Sequence, residues 1–581
     1  MDFNKIPIQE ITIAVYLQMV KINYKTILFL ILILSLFLNS WGIKWGLPSK
    51  ERIALLPKFE DVSALLQEKE VLTDKNTSLV GLISNYETLP KITRRFLLYT
   101  HHPDEMLTIM AITRMNPSKL DFNPHFFQYG GVFIYPIAAS FKIGSILGYL
   151  DVSKGLDYFL DHPDQIARFY IVGRWIVVFS CLLSILAIYF VVSAIGNKTS
   201  ALLAALILTI LPSTVIWAHT FKPHMYGVFF ALISFYFAFK ILKERQLSHY
   251  IWSGIFAGLS AGAVINYGII IFPSLLAALL YSIQHKERIY IKGLLFLGIG
   301  FIFAFFIPNY YYLFSFKEAL NEFRVLSGMW EFSPTPAVWF DYLIIMKEVI
   351  GASLFFLMMG GFIYSLYKSI WHRDKIHILL STTACLYFFL IGSLTSLNTA
   401  DIGRIRFGLL LISILVIMTA LFIVSFLNRI RHRHLKVVFT AILLGIFLLT
   451  LSKTILYDLN FFYDSTSRST RMLAGKWINK NIPEGSSIQL WHSPAPFNSP
   501  PLKFDNYQII VEPLKNVEYI ISSYQPEWDN NQNDYILLKS FEPITSILGF
   551  KLINPFYFSN HLVSIFIRKD LYPEMIRILE D

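Results

Sequence analysis

The sequence predicts a polytopic α-helical membrane protein of about eleven transmembrane helices. Its N-terminus is expected inside and its C-terminus outside, with interfacial helices in the first outer loop and a small extracytoplasmic α/β C-terminal domain. Three observations predict this. Of 581 residues, 55% are hydrophobic and only 15% charged, and the mean hydropathy is +0.53, values foreign to an ordinary soluble domain. Apolar stretches near the ~20 residues that cross a bilayer as a helix recur down the chain. Lys and Arg gather in every second short loop, the mark of segments held on the cytoplasmic side.

In order, the spans are read at Tyr24 to Trp41, Phe169 to Ala194, Ala201 to Ala218, Tyr226 to Leu242, Tyr250 to Asn266, Tyr267 to Ile283, Gly293 to Leu313, Tyr342 to Tyr367, Ile376 to Leu397, Ile405 to Leu427 and Val437 to Tyr457. The inside segments carry Lys5, Lys21 and Lys25, then Lys198, the run Lys240 to Arg245, Lys286 with Arg288 and Lys292, Lys368 with Arg373 and Lys375, and Arg429, Arg431 and Arg433. Three segments fall outside: residues 42–168, a loop near Phe316 to Phe340 with Trp330 and Trp339, and everything after Phe461. Residues 1–460 therefore read as the membrane domain and 461–581 as the outer domain. The first span lacks a small-residue cleavage site after Trp41 and reads as a retained helix.

The net charge of +11 is accounted for largely by the inside loops, so membrane lipids are the expected partner and nucleic acid is not. Cys181 and Cys385 both sit in predicted spans, which leaves neither a disulfide framework nor a Cys-rich metal site. No phosphate-cradling glycine loop, zinc spacing or internal repeat is present. Asn197-Lys-Thr and Asn76-Thr-Ser match the glycosylation sequon by pattern only. A bias toward Ile, Lys, Asn and Phe points to a bacterial plasma membrane.

At about 125 residues, the first outer loop is too long for a connector. Its sharpest feature is His101-His102-Pro103-Asp104-Glu105. Pro103 suits a first helical turn, the two carboxylates suit the positive end of a helix dipole, and Asn116-Pro117 supplies a stop, so a helix is expected over Pro103 to Met115. A related His162-Pro163-Asp164-Gln165, with Gln in place of Glu, reads as a helix start only. Val132 to Leu150 is expected to lie in the interface plane. After Asp464 the composition turns polar, with a helix over Ser469 to Asn479 and strands at Ser487 to Trp491, Tyr507 to Val511 and Val517 to Ser522.

His102-Pro-Asp-Glu105 through Arg114-Met115, followed by Leu120-Asp-Phe-Asn-Pro-His-Phe-Phe-Gln-Tyr129, resembles the first extracytoplasmic loop of the glycosyltransferase-C superfamily. The branch it is most similar to holds the protein mannosyltransferases and bacterial aminoarabinose transferases (glycosyltransferase family 39-like). Arg174, the run Ala218-His-Thr-Phe-Lys222-Pro-His224, Arg404-Ile-Arg406-Phe407 and the segment Ser469 to Gly485 extend the resemblance in order along most of the chain. It implies transfer of a sugar, with inversion, from a polyprenyl-phosphate donor to a lipid, glycan or protein acceptor at the outer face.

The residues allow that chemistry. A carboxylate can accept the proton of an attacking hydroxyl, while a lipid phosphate leaves as an anion and needs cations rather than a second acid. By transfer from the family motif Asp104 is the base, with Glu105 as its supporting partner or substitute. Arg404 and Arg406 are expected to bind the donor phosphate, and Lys222 and His224 to form a second clamp. Arg174 is expected to partner a loop carboxylate, with His102 and Tyr129 in support. Where many relatives carry an Asp, this chain reads Lys222-Pro-His224-Met225, which argues against a second acidic site. No cofactor is assigned; a divalent metal is compatible with the sequence but not required by it.

The rival class is a transporter or flippase of lipid-linked cargo, which would place ionisable residues at the bilayer midplane. An enzyme requires Asp104 within about 10 Å of the Arg404/Arg406 pair across a cavity.

Overall fold

The computed structural model describes residues 23–58, 88–396, 401–511, 517–523, 534–553 and 559–580. The expectations that rest on Lys5, Lys21, the sequon at Asn76 and Leu397 lie outside the described residues.

Helices dominate. Among the described residues, seven are long and apolar enough to cross a membrane: Pro163–Ile195, His224–Lys243, Ile265–His285, Ala352–Trp371, Lys375–Gly392, Gly403–Arg429 and Arg433–Asp464. An eighth candidate is the pair Lys198–Ile210 and Pro212–Ala218, bent by 59°. Pro212 causes the bend, because it cannot donate to the preceding turn and forces Leu211 into an extended conformation. The remaining predicted spans correspond to helices Tyr24–Ser40 of 17 residues, Leu247–Ala263 of 17 and Ile291–Phe306 of 16.

Two expectations are corrected. The predicted span Tyr342 to Tyr367 is two helices, Pro336–Ile350 and Ala352–Trp371, divided at Gly351 with φ +98°. Only glycine takes that conformation at little cost, and hydropathy does not register it because both flanks are apolar. The segment read as a loop at Phe316 to Phe340 instead holds helix Phe316–Gly328 and strand Trp330–Phe332, which pairs antiparallel with Leu394–Ser396.

The bundle packs through close backbone approach where side chains are absent. Helix Leu247–Ala263 lies against Ile291–Phe306 so closely that a methyl group at Gly254 would sit 2.1 Å from the Leu297 carbonyl oxygen and one at Gly258 2.4 Å from that of Phe301. Small residues at a helix interface give this contact in a lipid solvent, which supplies no hydrophobic drive of its own. Cys181 is buried and Cys385 exposed, and both are free thiols.

After Asp464, helix Thr470–Asn481 precedes a five-stranded sheet in the order Gln508–Ile510, Ser487–Leu490, Tyr519–Ser523, Val563–Arg568, Tyr535–Phe541. The first three strands are parallel and the last two pair antiparallel. The central strands Tyr519–Ser523 and Val563–Arg568 are buried along nearly their whole length.

Candidate active site

The His-Pro-Asp-Glu segment is a tight turn ahead of helix Glu105–Arg114. The Glu105 backbone N–H donates to the His102 carbonyl at 3.4 Å, and that of Asp104 to His102 Nδ1 at 3.2 Å. Asp104 occupies the N-cap position but makes no side-chain cap bond. Its carboxylate instead turns to Lys222, with which it forms an ion pair, and Arg406 NH1 stands 4.0 Å from the same oxygen. Three segments remote in sequence thus converge: the loop motif, the turn between Pro212–Ala218 and His224–Lys243, and the 3-10 segment Asp401–Gly408 that opens a candidate span.

The two carboxylates of the motif have different surroundings. Glu105 is fully buried and accepts four hydrogen bonds. Arg174 donates Nε to Oε1 at 2.9 Å and NH2 to Oε2 at 2.6 Å, Thr100 Oγ1 donates at 2.6 Å, and the Phe221 backbone N–H donates at 2.8 Å. Arg174 is anchored in turn on the Ile43 and Trp45 carbonyls and lies over the Trp45 ring. By holding the Phe221 N–H, Glu105 fixes where the next residue, Lys222, stands. Arg174 is the partner of this loop carboxylate.

Asp104, by contrast, is partly exposed. Burial raises its carboxyl pKa, but Lys222 and Arg406 lower it more, so it lies well below the usual carboxylate range. Burial, reinforced by Lys222, pushes His102 well below its ordinary value, so it is neutral and free to accept the Asp104 N–H. Burial and Arg406 bring Lys222 down to about 8, with Asp104 pulling the other way.

Arg404 and Arg406 do not face the same way. Two positions along a 3-10 helix, with three residues per turn, point to different sides. Arg406 faces Asp104 and stacks over Phe407 and Trp330. Arg404 lies over the Tyr342 ring and donates to the Gly392 carbonyl at 3.5 Å, and it is not among the residues lining the cavity beside Lys222. The cavity, of about 250 Å³, is bounded by Tyr129, Lys222, His224, Trp330, Arg406 and Phe407, with Phe323 and Leu326 of helix Phe316–Gly328 closing one side. That helix is fastened to the loop by Glu322, which accepts the Phe127 and Gln128 N–H groups at 2.9 Å, and by Glu318 with His125 at 2.9 Å. Among the described residues no three His, Cys, Asp or Glu side chains form a metal-binding group.

Sequence reasoning missed a second buried cluster. Next to the motif, His101 Nδ1 meets Asp464 Oδ2 at 2.8 Å, Asp464 Oδ1 accepts from Ser469 at 2.6 Å and from Arg471 at 3.4 Å, and Arg471 reaches His561 Nδ1 at 2.8 Å. It ties the turn carrying Asp104 to the sheet after Asp464. No local pattern announces it, because the partners lie 363 residues apart.

Residues 170–312, which include Arg174, Lys222 and His224, match the family model described as dolichyl-phosphate-mannose-protein mannosyltransferase. No curated protein sequence matches the chain. Among solved structures, the apo oligosaccharyltransferase of Archaeoglobus fulgidus is similar at 13% identity and a TM-score of 0.43, covering 86% of this chain and 69% of that one. ArnT from Cupriavidus metallidurans in the apo state is similar at 11% identity and 0.42, covering 87% and 97%. ArnT bound to undecaprenyl phosphate gives 11% and 0.40 over the same shares. The family match covers residues 170–312, and over that stretch the resemblance to the glycosyltransferase-C superfamily carried by the sequence holds.

Proposed function

We propose that the protein is an inverting glycosyltransferase that moves a sugar from a polyprenyl-phosphate donor to an acceptor hydroxyl or phosphate at the outer face of a membrane. The observation that carries this reading is the meeting of Asp104 with Lys222 and Arg406 beside one cavity. A carboxylate held by two cations is a weak base. A donor phosphate entering the cavity competes for the same cations, and each cation that turns to the phosphate releases Asp104. The freed carboxylate then rises toward its ordinary pKa, with a developing phosphate anion stabilised next to it. Base and clamp are in this way switched on by the donor itself. Transfer replaces the anomeric C–O bond to phosphate by one to the acceptor oxygen. The acceptor proton passes to Asp104 and the electron pair to the lipid phosphate.

The test is transfer by the purified full chain offered a panel of polyprenyl-phosphate sugars, with Arg406→Ala and Arg404→Ala compared. Turnover that Arg406→Ala lowers by about 100-fold, against a mild effect of Arg404→Ala, supports the reading. Saturable binding of lipid phosphate without turnover for any donor and acceptor would favour a transporter instead.

A further inference from the structure

The transfer reading leaves the sugar open, and the charges and orphaned polar atoms of the cavity narrow it. Lys222 and Arg406 are its cations, and among the described residues that line it there is no Asp or Glu. Asp104 is the carboxylate that meets both of those cations. A polyprenyl phosphosugar is a phosphodiester and carries one negative charge. Two cations against Asp104 and one phosphodiester leave the site neutral, provided the sugar itself is uncharged. An ammonium on the sugar would leave the site with one positive charge in excess, and a carboxylate would leave it with one negative charge in excess and compete with the phosphate for the clamp. Beside the buried Lys222 either imbalance is screened less than on an open surface.

Two further groups point to what the sugar offers. Tyr129 and His224 are each only 3% exposed and border the cavity. The Tyr129 hydroxyl and His224 Nδ1 have no hydrogen-bond partner among the described residues. Buried polar atoms are almost always paired, so two orphans beside one cavity mark places a ligand satisfies. Trp330 and Phe407, also on the wall, are aromatic and suit the apolar face of a pyranose ring.

We propose that the transferred sugar is uncharged and that Tyr129 and His224 read its hydroxyls. This rests on the transferase reading, and the experiment separates the two. The purified full chain is given polyprenyl phosphate bearing a neutral hexose, the same hexose with one hydroxyl replaced by an amino group, the corresponding uronic acid, and a series of single-deoxy hexoses. The expected result is a kcat/KM for the neutral hexose about 100-fold above both charged donors. Tyr129→Phe, which removes one oxygen, and His224→Asn are each expected to cost about tenfold or more on the full hexose. Each should cost nothing further on the one deoxy donor that lacks the hydroxyl it reads. A merely structural role would instead lower turnover of every deoxy donor alike. An amino or uronic donor used as well as the neutral one, or uniform losses across the deoxy series, overturns this inference and leaves the transferase reading standing. Failure of every polyprenyl-phosphate sugar overturns both.

Discussion

The chain contains the same opening twice: His102-Pro103-Asp104-Glu105 and His162-Pro163-Asp164-Gln165. Both fold as the same turn, with the fourth residue's N–H donating to the first residue's carbonyl, at 3.4 Å in one and 2.8 Å in the other. Beyond the backbone they differ completely. His102 and Glu105 are fully buried, and Asp104 is wedged between Lys222 and Arg406. His162 is exposed, its Nδ1 meeting the Tyr158 carbonyl and its ring stacking on that of Tyr158, and Gln165 donates to Asp164 at 3.3 Å. A Pro-Asp pair starts a helix in either place. Only where the fourth residue is a carboxylate does it bind the buried Arg174, and with it the strand of chain that delivers Lys222.

The largest effect that sharpens this contrast is on stability. Glu105→Ala strands the Arg174 guanidinium without its counter-charge and is expected to destabilise the protein by about 3–5 kcal/mol, measured as loss of thermal or protease resistance in detergent. Gln165→Ala at the equivalent place is expected to stay within about 0.5 kcal/mol. Equal losses at both positions would dissolve the distinction.

Next is the clamp. Lys222→Met removes the cation closest to Asp104 while keeping an unbranched chain of similar length, and should raise the donor KM by about 10- to 100-fold. The electrostatics then give a pH dependence. Lys222 is charged below about 8, so donor binding is expected to weaken as pH rises through about 8. That step should vanish from the Lys222→Met profile. Asp104, held below the usual range, stays ionised through neutral pH. Its ion pair contributes stability above the unfolded carboxylate value of about 4 that is lost only as pH falls toward the depressed folded value. The smallest expected effect is that of Gln165→Glu, which should bind nothing new and change neither stability nor activity measurably.

Much of this was legible beforehand, and the parts that were not share a cause. The motif helix and the apolar spans are local signals, a capping position and a run of hydropathy, whereas the 59° bend at Pro212 falls inside a stretch read as one span from Ala201 to Ala218. Lys222 and His224 were visible as polar residues between apolar helices. The separation of Arg404 from Arg406 was not, because two arginines two apart look like a pair until the 3-10 geometry turns them to different sides. Gly351 was invisible to hydropathy, and helix Phe316–Gly328, amphipathic and charged, passed for a loop. The contacts of Glu105 with Phe221 and of His101 with Asp464 span 116 and 363 residues, and nothing in a single sequence marks such partners.

The central claim is that Asp104, and not its sequence twin Asp164, serves the reaction. It is tested most directly by measuring sugar transfer by wild type, Asp104→Asn and Asp164→Asn side by side, with folding monitored in each. The account predicts a loss of about 10²- to 10⁴-fold for Asp104→Asn in a normally folded protein and full activity for Asp164→Asn. Full turnover by Asp104→Asn, or an equal loss in the two variants, would contradict it.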